Sequence, residues 1–161
     1  MAALRKATAY SKKKARPFTR VSRVKARTYI KVNPNNKLAK GVMGNQKAYE
    51  EGKHHFSVSL ISDESVQIRD DSLEAARMMV HKILEEHAIG EYFFVVKTYP
   101  HHILRENKTA AGAGADRLSS GMKHSYGVVI GRAALVGNGK EIFFITCTTE
   151  KVARLARSAL E

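Results

Sequence analysis

Three shortages bound what this chain does: it has no tryptophan, a single cysteine, and no acidic residue before Glu50. The lone Cys147 excludes an internal disulfide, and no Cys/His spacing has the form of a zinc site. Long apolar runs are missing as well. Nothing approaches the roughly 20 residues needed to cross a bilayer, and the opening Met1-Ala-Ala-Leu-Arg-Lys lacks the apolar stretch of a secretory signal. The expectation is a cytosolic, metal-free chain without a cofactor. Its 161 residues suit one domain, with or without a tail, and an apolar content of 43 % is enough for a modest core.

The missing acids carry the most information. Residues 1–49 hold 14 Lys and Arg, whereas residues 50–161 hold the other 14 together with all 15 Asp and Glu, so the net charge of +13 sits in the first third. Such a segment repels itself alone and gains order only against dense negative charge. Nucleic acid is the usual source, because each neutralised phosphate releases a condensed counterion. A solvated tail or a nuclear targeting signal is the plainer reading, but an unbroken acid-free run weighs against it. A membrane surface is excluded, since no amphipathic stripe of Leu, Phe or Trp runs through the segment. The candidate phosphate contacts are Lys12, Lys13, Lys14, Arg16, Arg20, Arg23, Lys25 and Arg27.

Patterning divides the chain into a basic extension, residues 1–26, and one globular domain, residues 27–161. Pro17 blocks a helix through the extension. Residues 27–32 (RTYIKV) alternate as a short strand, 33–36 (NPNN) form a turn, and 41–52 are loop. Residues 54–61 read as a strand with Phe56, Val58 and Leu60 on one face, and 65–69 as a second. Asp71 and Glu74 have capping-box spacing and open a helix whose apolar face is Leu73, Ala76, Val80, Ile83, Leu84 and His87, with Gly90 ending it at C′. Residues 91–99 form a buried strand that Pro100 stops, with 101–105 continuing on another line. Strands are expected at 126–130, 133–136 and 141–146, with Gly137-Asn138-Gly139 as a hairpin turn. Thr149 caps a last helix that turns Val152, Leu155, Ala156 and Ala159 inward.

Between these elements, residues 107–124 break every pattern. Loops of about 18 structureless residues are uncommon in compact domains and are usually functional or disordered. This one carries Lys108, Arg117 and Lys123 against Asp116 alone, and its glycines permit close backbone approach. A loop ordered by RNA and a floppy surface insertion fit that composition equally.

Catalytic readings fare poorly. In His54-His55 and His101-His102, neighbours on an extended chain point to opposite faces, so neither pair grips one ion. His101 and His102, beside Arg105 and Lys108, suit stacking or hydrogen bonding to RNA. His87 reads as a partly buried core residue and Cys147 as a buried thiol. The run Gly112-Ala-Gly-Ala is a weak match to a phosphate-cradling loop, with no strand running into it and no Lys at the required offset. No residue is assigned a catalytic role or a metal.

One stretch carries a family likeness. Residues 99–122 (YPHHILRENKTAAGAGADRLSSGM) closely resemble the signature of the L-ten-e ribosomal protein family of archaea and eukaryotes, the counterpart of bacterial L-sixteen. Val66-Gln-Ile-Arg-Asp, Leu73-Glu-Ala-Ala-Arg, Tyr29-Ile and Met43-Gly-Asn resemble it too, so the likeness covers roughly residues 16–160. It implies an α+β fold, an α/β-hammerhead-like mixed sheet with two helices. It implies a seat among large-subunit rRNA helices beside the A-site tRNA, in the cytoplasm, with neighbouring large-subunit proteins as further partners and no homo-oligomer. The loop that the family points toward the peptidyl transferase region corresponds here to Asn107, Lys108, Gly112, Gly114, Asp116, Arg117 and Lys123. Where the family usually reads Ala-Phe-Gly-Lys-Pro, this chain has Ser125-Tyr126-Gly127-Val128-Val129, so a phosphate contact made by that lysine is lost or moved. Two rivals stand beside this reading. A free RNA- or DNA-binding protein would share the charge and act outside the ribosome. A transferase using the Gly-rich loop would need a well-placed base, which the sequence does not offer.

Overall fold

The two most apolar stretches of the sequence lie at the centre of the fold. The computed structural model describes residues 17–28, 30–107 and 127–161. In chain order the elements are β1 (Val42–Gly44), α1 (Gln46–Glu50), β2 (Phe56–Ile61), β3 (Val66–Arg69), α2 (Asp70–His87), β4 (Tyr92–Val96), β5 (His102–Glu106), β6 (Val128–Val136), β7 (Glu141–Cys147) and α3 (Glu150–Leu160). The α+β class is as expected. The strands, however, form two antiparallel sheets rather than one mixed sheet, ordered β1–β4–β7–β2 and β3–β6–β5, and a short third helix, α1, joins the two long ones.

β4 and β7 pair in the middle of the larger sheet, where both faces need apolar side chains, and that requirement explains their near-continuous hydrophobic runs. Phe94 and Phe143 meet edge to face with ring centroids 5.4 Å apart. The inner faces of α2 (Leu73, Val80, Leu84) and α3 (Val152, Ala156) close over this sheet and over Ala134 and Val136 of β6, so one core serves both sheets. Cys147 lies fully inside it, and burial pushes its thiol up to about 11.

Several boundaries differ from expectation for identifiable reasons. No strand forms among the described residues of 27–32: Lys25–Arg27 makes a 3-10 turn, and of those residues only Ile30 is buried. Residues 33–36 form no regular turn. Their polar groups go elsewhere, Asn36 Oδ1 accepting from the Leu38 N–H at 3.1 Å. Residues 41–52 are not loop, because β1 extends the edge of the larger sheet and Asn45 Oδ1 caps α1 by accepting the Ala48 N–H at 3.1 Å.

The α2 capping box does not form. Arg69 sits at the N-cap, and Asp70 and Glu74 each turn one oxygen to the backbone of residues 37–39. The buried stripe of α2 is Leu73, Arg77, Val80 and Leu84; Ala76 and His87, expected inside, are exposed, and Arg77 is enclosed because it has Glu74 for a partner. Ala88 is the C-cap, so Gly90 (φ +77°) lies one residue beyond C′. Residues 128–136 make one strand, not two, accommodated by an irregularity in register at Leu104/Arg105 of β5.

Gly137–Gly139 is not a hairpin turn either, since β6 and β7 belong to different sheets. The turn hands the chain from one sheet to the other and is held by Gly139 N–H donating to Ser62 O and Ser62 N–H to Lys140 O, at 2.8 and 3.1 Å. α3 matches its reading: Thr149 accepts from the Val152 N–H at 3.5 Å.

Gly44 is the tightest point in the sheet. Its φ is +85°, and a Cβ there would lie 2.4 Å from the Tyr92 carbonyl oxygen and 2.9 Å from the Tyr92 ring. Gly44→Ala is expected to cost about 3 kcal/mol, roughly 10 °C in Tm. Gly41→Ala, where nothing lies within 4 Å, is expected to leave Tm unchanged in the same thermal melts.

Candidate nucleic-acid interface

A segment rich in like charge must be fastened to the domain by groups other than its own cations if those cations are to remain available. The structure does this through the backbone. Phe18 N–H donates to His102 Nδ1, and Ile103 N–H donates to Phe18 O, both at 2.8 Å, so Phe18 occupies the outer edge of β5. The Phe18 ring lies 4.0 Å from the Arg105 guanidinium, a cation–π contact. Further along, Ile30 is 2 % exposed, and Arg132 Nε donates to Pro34 O at 2.8 Å. Lys37 N–H then donates to Asp70 Oδ2 and Ala39 N–H to Glu74 Oε2, at 3.2 and 3.1 Å.

Glu74 holds a second partner. Arg77 Nη2 and Nε donate to its two oxygens at 2.6 and 2.8 Å, while Arg77 Nη1 reaches Met43 Sδ at 3.1 Å. The Arg77 hydrogen bonds keep the Glu74 carboxyl below the ordinary carboxylate range, and the same pairing raises Arg77. Arg77 is therefore a buried, neutralised cation.

The cations of the extension and of the acid-free segment that follows it are the opposite case. Arg23, Lys25, Arg27, Lys31 and Lys40 are exposed and Arg20 is half-buried. Among the described residues none of them faces an acid at ion-pair distance; Lys37 reaches Asp71 only at 4.0 Å. The domain holds the strand of cations and leaves their charge unspent.

The other expected element springs from the same place. β5 and β6 stay paired to Glu106 opposite Val128, which closes the ends of the intervening segment. Beneath that mouth lies a cleft of about 510 Å³ lined by Phe18, Ile30, Lys31 and Val32 on one side and by Arg105, Gly127, Val128 and Val129 on the other. Phe18 and residues 30–32 thus meet the flanks of the Gly-rich loop at one cleft. Burial there lowers the Arg105 pKa from its usual value.

The expected site residues fall in three groups. Arg20, Arg23, Lys25, Arg27 and His101 lie at the surface or half-buried at it, and Arg105 and Asn107 are half-buried at the cleft and loop mouth. Lys12, Lys13, Lys14, Arg16, Lys108, Gly112, Gly114, Asp116, Arg117 and Lys123 lie outside the described residues. His102 is a correction. It is 7 % exposed and its Nδ1 accepts the Phe18 N–H, so it anchors the extension instead of facing a ligand.

Both His pairs split between inside and outside, as extended neighbours do. His54 is half-buried, its Nδ1 2.8 Å from Thr146 Oγ1, and desolvation followed by the neighbouring His55 lowers its pKa; His55 and His101 are exposed. Among the described residues no three His, Cys, Asp or Glu side chains gather as metal ligands, and no helix is long and apolar enough to cross a membrane. Sequence reasoning missed Phe18, Asp70, Glu74 and Arg132. An aromatic inside an acid-free run, where Tyr10, Tyr29 and Tyr49 also lie, was the one available signal for Phe18.

Because the Glu74 pKa lies below its usual value, the Glu74–Arg77 pair contributes fully above that usual value and is lost as pH falls through the folded-state value. Glu74→Ala, which strands a buried guanidinium, is expected to cost about 3 kcal/mol at neutral pH. It should also speed tryptic cleavage after Lys37 and Lys40, and its stability should approach that of the wild type on acidification. Unchanged cleavage kinetics would remove the tethering role.

Comparison with known proteins gives a consistent result. The family model for ribosomal protein L16p/L10e matches residues 6–161. The chain is 42 % identical over 126 residues to the large ribosomal subunit protein uL16 of Natronomonas pharaonis, covering 77 % of this chain and 71 % of that one. It is 41 % identical over 150 residues to the uL16 protein of Methanococcus maripaludis, covering 92 % and 81 %. The uL16 protein of Haloarcula marismortui is 41 % identical over 126 residues, 77 % of this chain and 71 % of that one.

Proposed function

The chain belongs to the L16p/L10e family of ribosomal proteins, and on that premise we propose that it is a structural constituent of the large ribosomal subunit, binding rRNA and helping to shape the aminoacyl-tRNA site. One observation carries the reading. Phe18 of the extension, residues 30–32 with Lys31, and the flanks of the 107–124 loop with Arg105 line a single cleft, which supports one bound RNA surface engaging both.

In this mechanism residues 1–26 thread between rRNA helices, with Lys12, Lys13, Lys14, Arg16, Arg20, Arg23, Lys25 and neighbouring Arg27 on phosphates. Arg105 adds charge at the cleft, and His101 offers a ring at the adjoining surface. A-form RNA hides its base edges in a deep groove, so these contacts read shape and backbone. The domain then holds the loop in place, where Lys108, Arg117 and Lys123 meet rRNA or the A-site tRNA backbone and Asn107, Gly112, Gly114 and Asp116 shape its path. Neighbouring large-subunit proteins complete the surroundings, in the cytoplasm. No residue is assigned a chemical step, because the contribution is positioning.

The first test is sedimentation of a native lysate through a density gradient at low and high salt. Cosedimentation with the large subunit that survives moderate salt is expected. Recovery wholly in the free fraction under both conditions would transfer the protein to the class of free RNA- or DNA-binding proteins. Replacing Arg23, Lys25 and Arg27 by Ala should lower the salt-dependence slope of rRNA binding by about three, one per phosphate contact. Lys108→Ala with Arg117→Ala should impair tRNA accommodation more than subunit assembly. Equal loss of both, or of neither, counts against a separate role for the loop.

A further inference from the structure

The cations of the extension account for binding to any RNA, but one surface feature beside them has no part in phosphate binding. Tyr99 is 48 % exposed and His101 is exposed, although both flank Pro100, which is buried. His101 N–H donates to Tyr99 O at 2.9 Å, a tight three-residue turn. Their ring centroids lie 4.6 Å apart at an interplanar angle of 51°. The pair is a small aromatic surface facing solvent and not part of the core.

Its surroundings keep it rigid and basic. Arg132 Nη1 donates to the Tyr99 hydroxyl at 3.4 Å, while Arg132 Nε is fixed on Pro34 O. Asn33, next to Pro34, lines a cleft of about 380 Å³ with Arg20, Val21, Ser22 and Arg23. From the other side, Arg20 lies two residues from Phe18, which is bonded to His102, the neighbour of His101. The aromatic pair and the arginine cleft are thus joined by two short routes. Among the described residues the other exposed aromatic at a ring–ring contact, Tyr49 on Phe93, is followed directly by Glu50 and Glu51, a less favourable setting for a polyanion.

We propose that Tyr99 and His101 form a stacking platform for an unpaired RNA base, with Arg20 and Arg23 holding the phosphates next to it. The proposal rests on the rRNA-binding reading above and adds a preference which that reading lacks. In a duplex the faces of the bases are covered by their neighbours, so an exposed ring has nothing to stack on. A bulged, looped or single-stranded nucleotide offers its π face to the rings and its phosphate to the arginines. The partner at this patch is accordingly an irregular or single-stranded element of RNA, whereas the remainder of the extension accepts helical backbone.

The test uses the full-length protein and two probes, a fluorescein-labelled oligouridine and the same strand annealed to oligoadenylate, with anisotropy read over a range of salt. Tyr99→Ala with His101→Ala is expected to weaken binding to the single strand about tenfold. Duplex binding and the salt slope of both should stay as in the wild type, because stacking releases no counterion. Tyr99→Phe, which keeps the ring and drops the hydroxyl, should retain single-strand binding and so exclude a folding defect. Equal loss on both probes, or no loss on the single strand, overturns the platform while leaving rRNA binding in place. A wild-type protein that binds neither probe overturns the rRNA reading itself and the platform with it.

Discussion

The arrangement depends on how a carboxylate is used. Asp70 and Glu74, in the first turns of α2, lie next to a segment that carries no acid of its own, and pairing with its ammonium groups would be the simplest contact. Instead both accept main-chain N–H groups, from Lys37 and Ala39. A hydrogen bond from a backbone amide fixes position and direction without neutralising a side chain. Glu74 also satisfies the guanidinium of Arg77, which could not otherwise stay inside the core, since an uncompensated buried charge costs several kcal/mol. The charge that must be buried is cancelled, and the charge that must be presented is left alone.

From that tether the geometry of the interface follows. The segment is held at one end by α2 and β1 and at the other by the edge of β5, where Phe18 takes the position of a further strand residue. Between these points it passes Arg132 and the mouth of the loop, which brings two distant parts of the sequence to one cleft. Occupying the β5 edge with Phe18 also covers backbone groups that would otherwise invite pairing with another chain. The same residues serve as anchor, as edge cover and as cation–π partner to Arg105.

What the sequence made legible was whatever depends on burial with a regular period. β4, β7, the inner face of α2 and all of α3 were readable because their apolar residues recur at the spacing of the element. The partners of those elements were not readable. Nothing local distinguishes a Gly-Asn-Gly that closes a hairpin from one that carries the chain between sheets, as residues 137–139 do. Arg77 interrupts the apolar stripe of α2 in one dimension, and only the fold supplies Glu74 and Met43 around it. The same gap explains the site. Arg20, Arg23, Lys25 and Arg27 were proposed from charge alone, whereas the part His102 plays is set by Phe18, 84 residues away, and no local pattern shows it.

The way the strands pair has a consequence for how the chain comes to be folded. β2 and β3 are made early, yet their partners are β7 and β6: Phe56 lies opposite Cys147 and Val66 opposite Val136. Neither sheet is completed by neighbours in sequence, so contact order is high and closure is slow relative to a helical protein of this size. During synthesis the acid-free extension is made before the residues of β6 and β7 that complete the two sheets. A nascent chain of this design carries its surplus of positive charge before the strands that close its two sheets have been made.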